Sequence, residues 1–196
     1  MAPAKSSFSS QRGFSLIEVV ISMGLLTTVS LGVAQLFAVS TKANRTARNQ
    51  TSAVALAEQK IEQIRSLSWG FDLNGQGLPV TDTTTDLSVY PHGNSGSGLN
   101  PSPSDSLLVS RDGFVDYLDT NGVWVGTGAT PPGNAVYIRR WSILPLPTNP
   151  NNTLVIQVLV TAVSDETQRV ETTGQTTRPR MPGDVVLISV KTRKAQ

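Results

Sequence analysis

One long apolar stretch near the N-terminus constrains the fold of this chain more than any other feature. Residues 14–39 read FSLIEVVISMGLLTTVSLGVAQLFAV, and these 26 residues carry a single charge, that of Glu18. A helix needs about 20 mostly apolar residues to cross a bilayer. We therefore expect a membrane-spanning helix here.

The edges of this stretch narrow its interpretation. Residues 1–13 form a short, Ser-rich leader with two basic side chains, Lys5 and Arg12, and the leader ends in glycine. Phe14 opens the apolar run, and the lone carboxylate of Glu18 follows four residues later. An ordinary secretory signal peptide is removed at a small-residue site that follows its apolar core. No such site follows promptly here.

This combination resembles the N-terminus of type IV pilins and pseudopilins. The residues that carry the resemblance are Gly13, Phe14, Ser15, Leu16, Ile17 and Glu18, with the apolar run that follows them. In that family, a membrane-embedded prepilin peptidase cuts after the glycine and methylates the new N-terminal amine. The resemblance implies cleavage between Gly13 and Phe14, methylation of Phe14, and retention of the apolar helix.

The resemblance also implies a role for Glu18. A carboxylate within a bilayer costs roughly 2.5 to 3.5 kcal/mol on insertion scales, so its presence indicates a function and requires a partner. The partner implied by the family is the Phe14 amine of a neighbouring subunit, because opposite charges attract more strongly at low dielectric. The alternative is a glutamate near the membrane interface whose side chain reaches out to water.

Small residues recur within the apolar stretch. Gly24, Thr28 and Gly32 lie at four-residue intervals and share one helix face. This spacing lets membrane helices approach closely, so it predicts a helix-packing face. Such residues are also common in spans that have no packing role. The first proline after the leader is Pro79, so a kink would need Gly24 or Gly32.

A second, amphipathic half of the helix is predicted over residues 40–69. Its apolar stripe, on which we expect the head to pack, consists of Val54, Ala57, Ile61 and Ile64. Its solvent-exposed faces are assigned Glu58, Lys60, Glu62 and Arg65. We expect the helix to reach Trp69 and to end at Gly70. The segment ALAEQKIEQIRSL (55–67) also resembles the region after the span in minor pilins of the pilus-modification type.

The remaining residues, 70–196, predict a loop-rich β head. Gly, Ser and Pro make residues 72–106 loop-like. A hairpin is expected to turn at Asn121 and Gly122 between strands at 114–118 and 123–125. Further strands are expected at 135–144, 153–163 and 184–193. Short connections favour an antiparallel meander, so the predicted fold class is α+β: a long N-terminal helix packed on a small antiparallel sheet.

Composition narrows the function classes. Removing Lys5 and Arg12 from the 16 basic residues leaves 14 against 14 acidic residues, so the processed chain is formally neutral. We therefore predict no direct nucleic-acid binding, which needs a clustered positive surface. There are no cysteines, which excludes disulfides and thiolate chemistry. No cofactor and no phosphate-binding loop is indicated.

The head carries no convincing catalytic or metal pattern. His92 is the only histidine, and Ser95 beside it does not complete a G-x-S-x-G elbow, so we predict that the chain is not an enzyme. Asp112, Asp116 and Asp119 suggest calcium, which some pseudopilins bind. Their spacing does not fit the calcium-loop pattern, and turn formation in a hairpin is the simpler interpretation.

The resemblance implies a minor type IV pilin-like structural subunit. Its expected location is the bacterial inner membrane with the head in the periplasm, followed by a pilus or periplasmic pseudopilus. Its expected partners are a prepilin peptidase, other pilin or pseudopilin subunits, an assembly platform and, indirectly, the platform's ATPase. Two alternatives stay open: a minor pseudopilin of a type II secretion system, and a membrane-anchored adhesin or ligand-binding head.

Overall fold

The computed structural model describes residues 13–72, 76–167 and 180–193. The chain divides into two compact units, Met1–Asn44 and Arg45–Gln196. The predicted leader, apart from Gly13, lies outside the described residues. The first unit is helical from Leu16 onward, and the second contains the end of that helix and all the strands.

One helix, α1, runs without interruption over Leu16–Ser66, which is 51 residues. Glu18 lies in its first turn and Arg65 in its last, and these charges suit the partial positive and negative charges at the two ends of a helix. Neither Gly24 nor Gly32 interrupts it. The single long helix is confirmed.

Among the described residues of the second unit, seven strands form two sheets. Their bounds are β1 Trp69–Phe71, β2 Pro79–Thr81, β3 Val115–Leu118, β4 Trp124–Gly126, β5 Tyr137–Pro145, β6 Thr153–Ala162 and β7 Val185–Thr192. β1 and β2 pair alone, and the other five lie in the order β4-β3-β5-β6-β7 with every neighbour antiparallel. The predicted antiparallel sheet and the α+β class are confirmed. The predicted simple meander is wrong at one connection, because β5 pairs with β3 and not with β4, the strand before it in sequence.

The core lies between α1 and one face of the five-stranded sheet. The helix contributes buried Ala53, Ala57, Ile61 and Ile64, and the sheet contributes the buried side chains of Trp141, Ile143, Ile156 and Val158. Val54 is only half-buried, because the face that meets the sheet is centred on Ala53 and Ala57. Apolar side chains at three- and four-residue steps therefore bury one side of the helix.

The helix ends earlier than predicted, at Ser66, and Gly70 is not its terminator. Trp69 and Gly70 are already in β1, paired with Thr81 and Val80. The Arg193 guanidinium lies 3.8 Å from the centroid of the Trp69 ring and donates to the Gly70 carbonyl at 3.0 Å. These tertiary contacts stabilise Trp69 and Gly70 outside the helix, in place of the final helical turn that was predicted.

Residues 72–106 were predicted as a loop, and the described part from residue 76 onward is more ordered than its composition suggests. It contains β2 and an isolated bridge between Asp86 and Gly93. Leu87 and Leu99 are buried in the core. A Cβ on Gly96 would lie 2.0 Å from the Cα of Asp86, so this close crossing of two chain segments requires glycine. The Gly and Ser residues here permit close packing of the backbone.

Candidate functional site

The predicted processing site lies immediately before the helix. Gly13, Phe14 and Ser15 are not helical, and the Ser15 carbonyl accepts the first helical hydrogen bonds, from the N–H of Glu18 at 3.0 Å and of Val19 at 3.2 Å. Phe14 is 85% exposed, and a Cβ on Gly13 would have no neighbour within 4 Å. The bond between Gly13 and Phe14 is thus in an open, non-helical segment, where a peptidase can reach it.

The helix that follows exposes a continuous apolar surface. Every large apolar side chain from Phe14 to Val39 is at least 44% exposed. The helix is long and apolar enough to cross a membrane, with a window of mean hydropathy 2.0 of which none is buried. Such a surface is stable only against lipid or other apolar helices.

Threonine hydroxyls inside this apolar surface are satisfied by the helix itself. Thr27 donates to the Met23 carbonyl at 2.7 Å, and Thr28 donates to the Gly24 carbonyl at 2.9 Å. An unpaired hydroxyl in hydrocarbon costs several kcal/mol, on the order of 4 to 8. The back-bonded hydroxyls make these two polar residues compatible with a lipid or helix-bundle environment.

The predicted packing residues and Glu18 are all exposed on this part of the helix. A Cβ on Gly24 or Gly32 would meet nothing within 4 Å, so no contact within the described chain requires glycine there. Glu18 lies one turn beyond Phe14, close to the positive end of the helix macrodipole. A negative charge at this end of a helix is favourable.

Residues 8–34 match the family model described as the prokaryotic N-terminal methylation motif. Over these residues, the chain is similar to the N-terminus of type IV pilins and pseudopilins. This pilin motif implies processing by a prepilin peptidase and assembly with other pilin subunits, and it indicates a structural subunit. The apolar helix fits membrane anchoring. No curated protein and no solved structure matches the chain.

In the second unit, a buried ionic cluster joins α1 to the sheet. The Asp116 carboxylate on β3 contacts the Lys60 ammonium at 2.6 Å and the Arg139 guanidinium on β5 at 2.8 Å. Arg139 binds both carboxylate oxygens and also donates to the Leu56 carbonyl at 3.0 Å and to Gln59 Oε1 at 3.1 Å. All three charged side chains of this cluster are buried.

The position of Lys60 corrects the sequence-based prediction. It was assigned to a solvent-exposed face, but it is fully buried, donates to the Leu87 carbonyl at 2.6 Å, and lies 4.2 Å from the centroid of the Trp141 ring. The sequence spacing of Lys60 indicates that it lies on the buried face of α1, because it is three residues after Ala57 and four before Ile64. Burial lowers the pKa of Lys60 to about 8, although the Asp116 carboxylate opposes this.

The acidic residues near the hairpin lie in different surroundings. Asp116 points into the ionic cluster, so the turn-forming interpretation is wrong for it. Asp119 does form the turn, because its Oδ1 accepts from the N–H groups of Asn121 at 2.8 Å and Val123 at 2.9 Å. No group of three metal-ligating side chains occurs among the described residues.

The histidine and serine considered for catalysis have separate surroundings. His92 Nδ1 is 2.9 Å from the Val89 carbonyl, and the His92 ring meets Tyr90 edge-on at 5.9 Å between centroids. Ser95 is in a left-handed backbone conformation with φ of 76°. Within the described ranges, no hydrogen bond joins the two side chains, so no nucleophile–base pair is formed there.

Proposed function

We propose that the chain is a minor type IV pilin-like structural subunit that enters a pilus filament or primes its assembly. The methylation motif at residues 8–34, directly followed by an exposed apolar helix, carries this proposal. The similarity of residues 55–67 to minor pilins of the pilus-modification type favours the minor role. The proposed order of segments is a leader, 1–13, a membrane and filament-core half, 14–39, an amphipathic half, 40–69, and the head, 70–196.

The proposed assembly step depends on charge at the start of the helix. Cleavage after Gly13 creates an ammonium on Phe14, next to the positive end of the α1 macrodipole, where a cation is unfavourable. Glu18 of a neighbouring subunit supplies the opposite charge at low dielectric. The pair both neutralises two charges in the apolar interior and sets the axial position of the incoming subunit. Gly24, Thr28 and Gly32 then provide the face on which helices pack closely.

The proposed location and partners follow from this step. After the prepilin peptidase has processed it, the subunit resides in the inner membrane with its head in the periplasm. An assembly platform and its ATPase supply the work that lifts the apolar helix out of lipid. Lipid and a bundle of apolar helices are similar environments for the exposed side chains, so the transfer costs little hydrophobic free energy.

Mass spectrometry of the mature N-terminus tests the processing step. In cells with an active prepilin peptidase, we expect a chain that begins with N-methylated Phe14. The same cells without the peptidase should retain residues 1–13. A chain that still starts at Met1 or Ala2 in the presence of active peptidase contradicts the proposal.

Replacing Glu18 with alanine tests the assembly step. We expect Glu18→Ala to insert into the membrane normally and to be incorporated into filaments at least about tenfold less, because one charge pair at low dielectric is lost. Glu58→Ala is the matched control, since Glu58 is an exposed carboxylate on the same helix. Sheared filaments are quantified by immunoblot. Equal incorporation of Glu18→Ala and the parent removes the ion-pair mechanism.

A pseudopilin of a type II secretion system shares the same N-terminal features. Deleting the gene for this chain distinguishes the pilus assignment from the secretion assignment. Loss of surface pili with normal export of folded enzymes supports the pilus assignment. Loss of export with normal pili supports the secretion system instead. A membrane-anchored adhesin would bind its ligand equally well with Glu18 replaced.

A further inference from the structure

Two exposed arginines follow the apolar stretch of α1, and no function described so far uses them. Arg45 and Arg48 come six and nine residues after Val39, the last residue of that stretch. Both side chains are exposed, and neither forms an ion pair or a hydrogen bond with any residue that the structure describes. A guanidinium carries a permanent charge and five N–H donors. The two arginines are therefore available to bind an anion.

The helical segment that contains the two arginines is positively charged. Residues 40–52 read STKANRTARNQTS, with three basic residues, Lys42 included, and no acidic one. The acidic residues of α1 that flank this segment in sequence are Glu18 and Glu58. Neither is within one helical turn of the segment. Positive charge without a nearby counter-charge on the same helix attracts anions.

Two carboxylates of the head, those of Asp165 and Asp184, lie beside the short segment 181–183. That segment contacts α1 at Gln50, whose side-chain NH2 group donates to the Pro182 carbonyl. Gln50 comes after both arginines in α1. The two arginines are therefore nearer to the apolar stretch than the point at which these carboxylates approach the helix.

Helix geometry places both arginines near the lipid headgroups when the apolar stretch spans a bilayer. At about 1.5 Å per residue, the Cα atoms of Arg45 and Arg48 lie about 9 and 14 Å beyond that of Val39 along the helix. The headgroup layer is about 5 to 7 Å thick on each side of the hydrocarbon. Cα–Cβ bonds tilt toward the N-terminus of a helix, so these long side chains lean back toward the membrane. Their guanidinium groups can then contact lipid phosphates.

We propose that Arg45 and Arg48 bind the headgroups of anionic phospholipids, such as phosphatidylglycerol, at the membrane surface nearer the head. The two side chains are three residues apart and share one helix face, and a guanidinium can donate two parallel hydrogen bonds to one phosphate. Zwitterionic lipids also carry a phosphate, but their ammonium group offsets its charge. The contact anchors α1 at a fixed depth. This inference rests on the proposed membrane span of residues 14–39 and does not depend on filament assembly.

Spin-labelled lipids test the inference in phosphatidylcholine vesicles that contain the full chain. Phosphatidylglycerol and phosphatidylcholine probes with the same nitroxide on the acyl chain differ only in the headgroup. Electron paramagnetic resonance measures the fraction of each probe whose motion is restricted by the protein. At low salt we expect at least about twofold enrichment of the phosphatidylglycerol probe, largely lost at about 1 M salt, where the Debye length is about 3 Å. Equal association of the two probes at low salt overturns the inference.

Variants assign the preference to the two arginines. Arg45→Gln/Arg48→Gln should lose most of the enrichment, whereas Arg45→Lys/Arg48→Lys should keep most of it, because the charge is retained. Lys42 is present in every variant, so the difference reports the two arginines. Arg65→Gln is the matched control, because Arg65 is a partly exposed arginine about 30 Å farther along the same helix than Arg45. It should behave like the parent. Unchanged enrichment in the double glutamine variant overturns the inference.

The same spectra separate this inference from the membrane span on which it rests. A motionally restricted component for both probes, without preference for either headgroup, is consistent with the span and overturns only the contact with anionic lipid. The absence of a restricted component for both probes contradicts the span itself, and the headgroup contact with it.

Discussion

At the scale of single residues, the ionic cluster of Lys60, Asp116 and Arg139 determines how the head sits on its part of the helix. Replacing a complete buried ion pair with apolar residues is often neutral, but removing one partner leaves an uncompensated buried charge. Any packing in which these side chains do not meet is therefore higher in free energy. Apolar contacts from Ala57 and Ile61 contribute attraction that is less specific in direction.

Asp116→Asn should be among the most destabilising single changes in the head. It leaves the buried cations of Lys60 and Arg139 without their carboxylate, which costs about 3 to 5 kcal/mol in the free energy of unfolding. Denaturant titration of the full chain, followed by tryptophan fluorescence, measures this. Asp112→Asn is the matched control, because Asp112 is exposed on the same segment, and it should change stability by less than about 0.5 kcal/mol. Similar losses in both variants would contradict the burial argument.

The stability of the head should depend on pH through Lys60. Its pKa is lowered from 10.5 to about 8 by burial, so the unfolded chain holds this proton more tightly than the folded chain does. Stability therefore rises as pH increases through the window from about 8 to 10.5. The 2.5-unit difference between these values corresponds to about 3 kcal/mol.

Comparison with Lys60→Met isolates this effect from other titrating groups. Between neutral pH and pH above 10.5, the parent should gain about 3 kcal/mol of unfolding free energy relative to Lys60→Met. Unfolding is measured at each pH in the same membrane mimic. A constant difference between the two proteins across this window would show that Lys60 has an ordinary pKa.

At the scale of elements, residues far apart in sequence determine where α1 ends. Lys191 on β7 donates to the carbonyls of Arg65 and Leu67, the latter at 2.8 Å. These are the carbonyls that a helix C-terminus leaves without partners. Partial burial, with the nearby positive charge of Arg65, lowers the pKa of Lys191. A cation at this end also suits the helix macrodipole.

The close approach of Gly96 to Asp86 allows a test of whether the segment before β3 is packed as described. Gly96→Ala should destabilise the head by about 1 to 3 kcal/mol, because its Cβ would lie 2.0 Å from backbone Cα of Asp86. Gly93→Ala is a closely matched control, since a Cβ there meets nothing within 4 Å. Thermal unfolding followed by circular dichroism compares the two. Equal melting temperatures would mean that the segment is not packed as described.

Local sequence patterns predicted most of the elements, and non-local contacts account for the errors. Alternating apolar residues and the turn at Gly122, which has φ of 76°, were enough to predict β3 to β7. The end of α1 was wrong because Lys191 and Arg193 determine it from the other end of the head. The ionic cluster was missed because a lysine on a helix and an aspartate in a strand become partners only once the sheet packs. One residue in the sequence does indicate a buried ion pair: Arg139, a charged residue within an apolar strand.

At the scale of the whole molecule, the exposed apolar helix needs an apolar environment, such as lipid or other apolar helices. Leu26→Arg, near the middle of residues 14–39, should reduce membrane insertion, because arginine at a span centre costs about 2.5 to 3.5 kcal/mol on insertion scales. Leu26→Ile is the control of similar size and should insert fully. Carbonate extraction of membranes measures the inserted fraction. Full insertion of the arginine variant would indicate that this stretch does not span the bilayer.

The contacts of β7 also bear on the order in which the chain can fold during synthesis. Lys191 and Arg193 complete the end of a helix whose last residue, Ser66, leaves the ribosome long before them. Contacts between residues so distant in sequence form late and slow folding. Until β7 has been synthesised, Ala57, Ile61 and Ile64 of α1 lack part of the sheet that buries them. An incomplete chain thus exposes an apolar helix face, and chaperones that bind such faces would act in this interval.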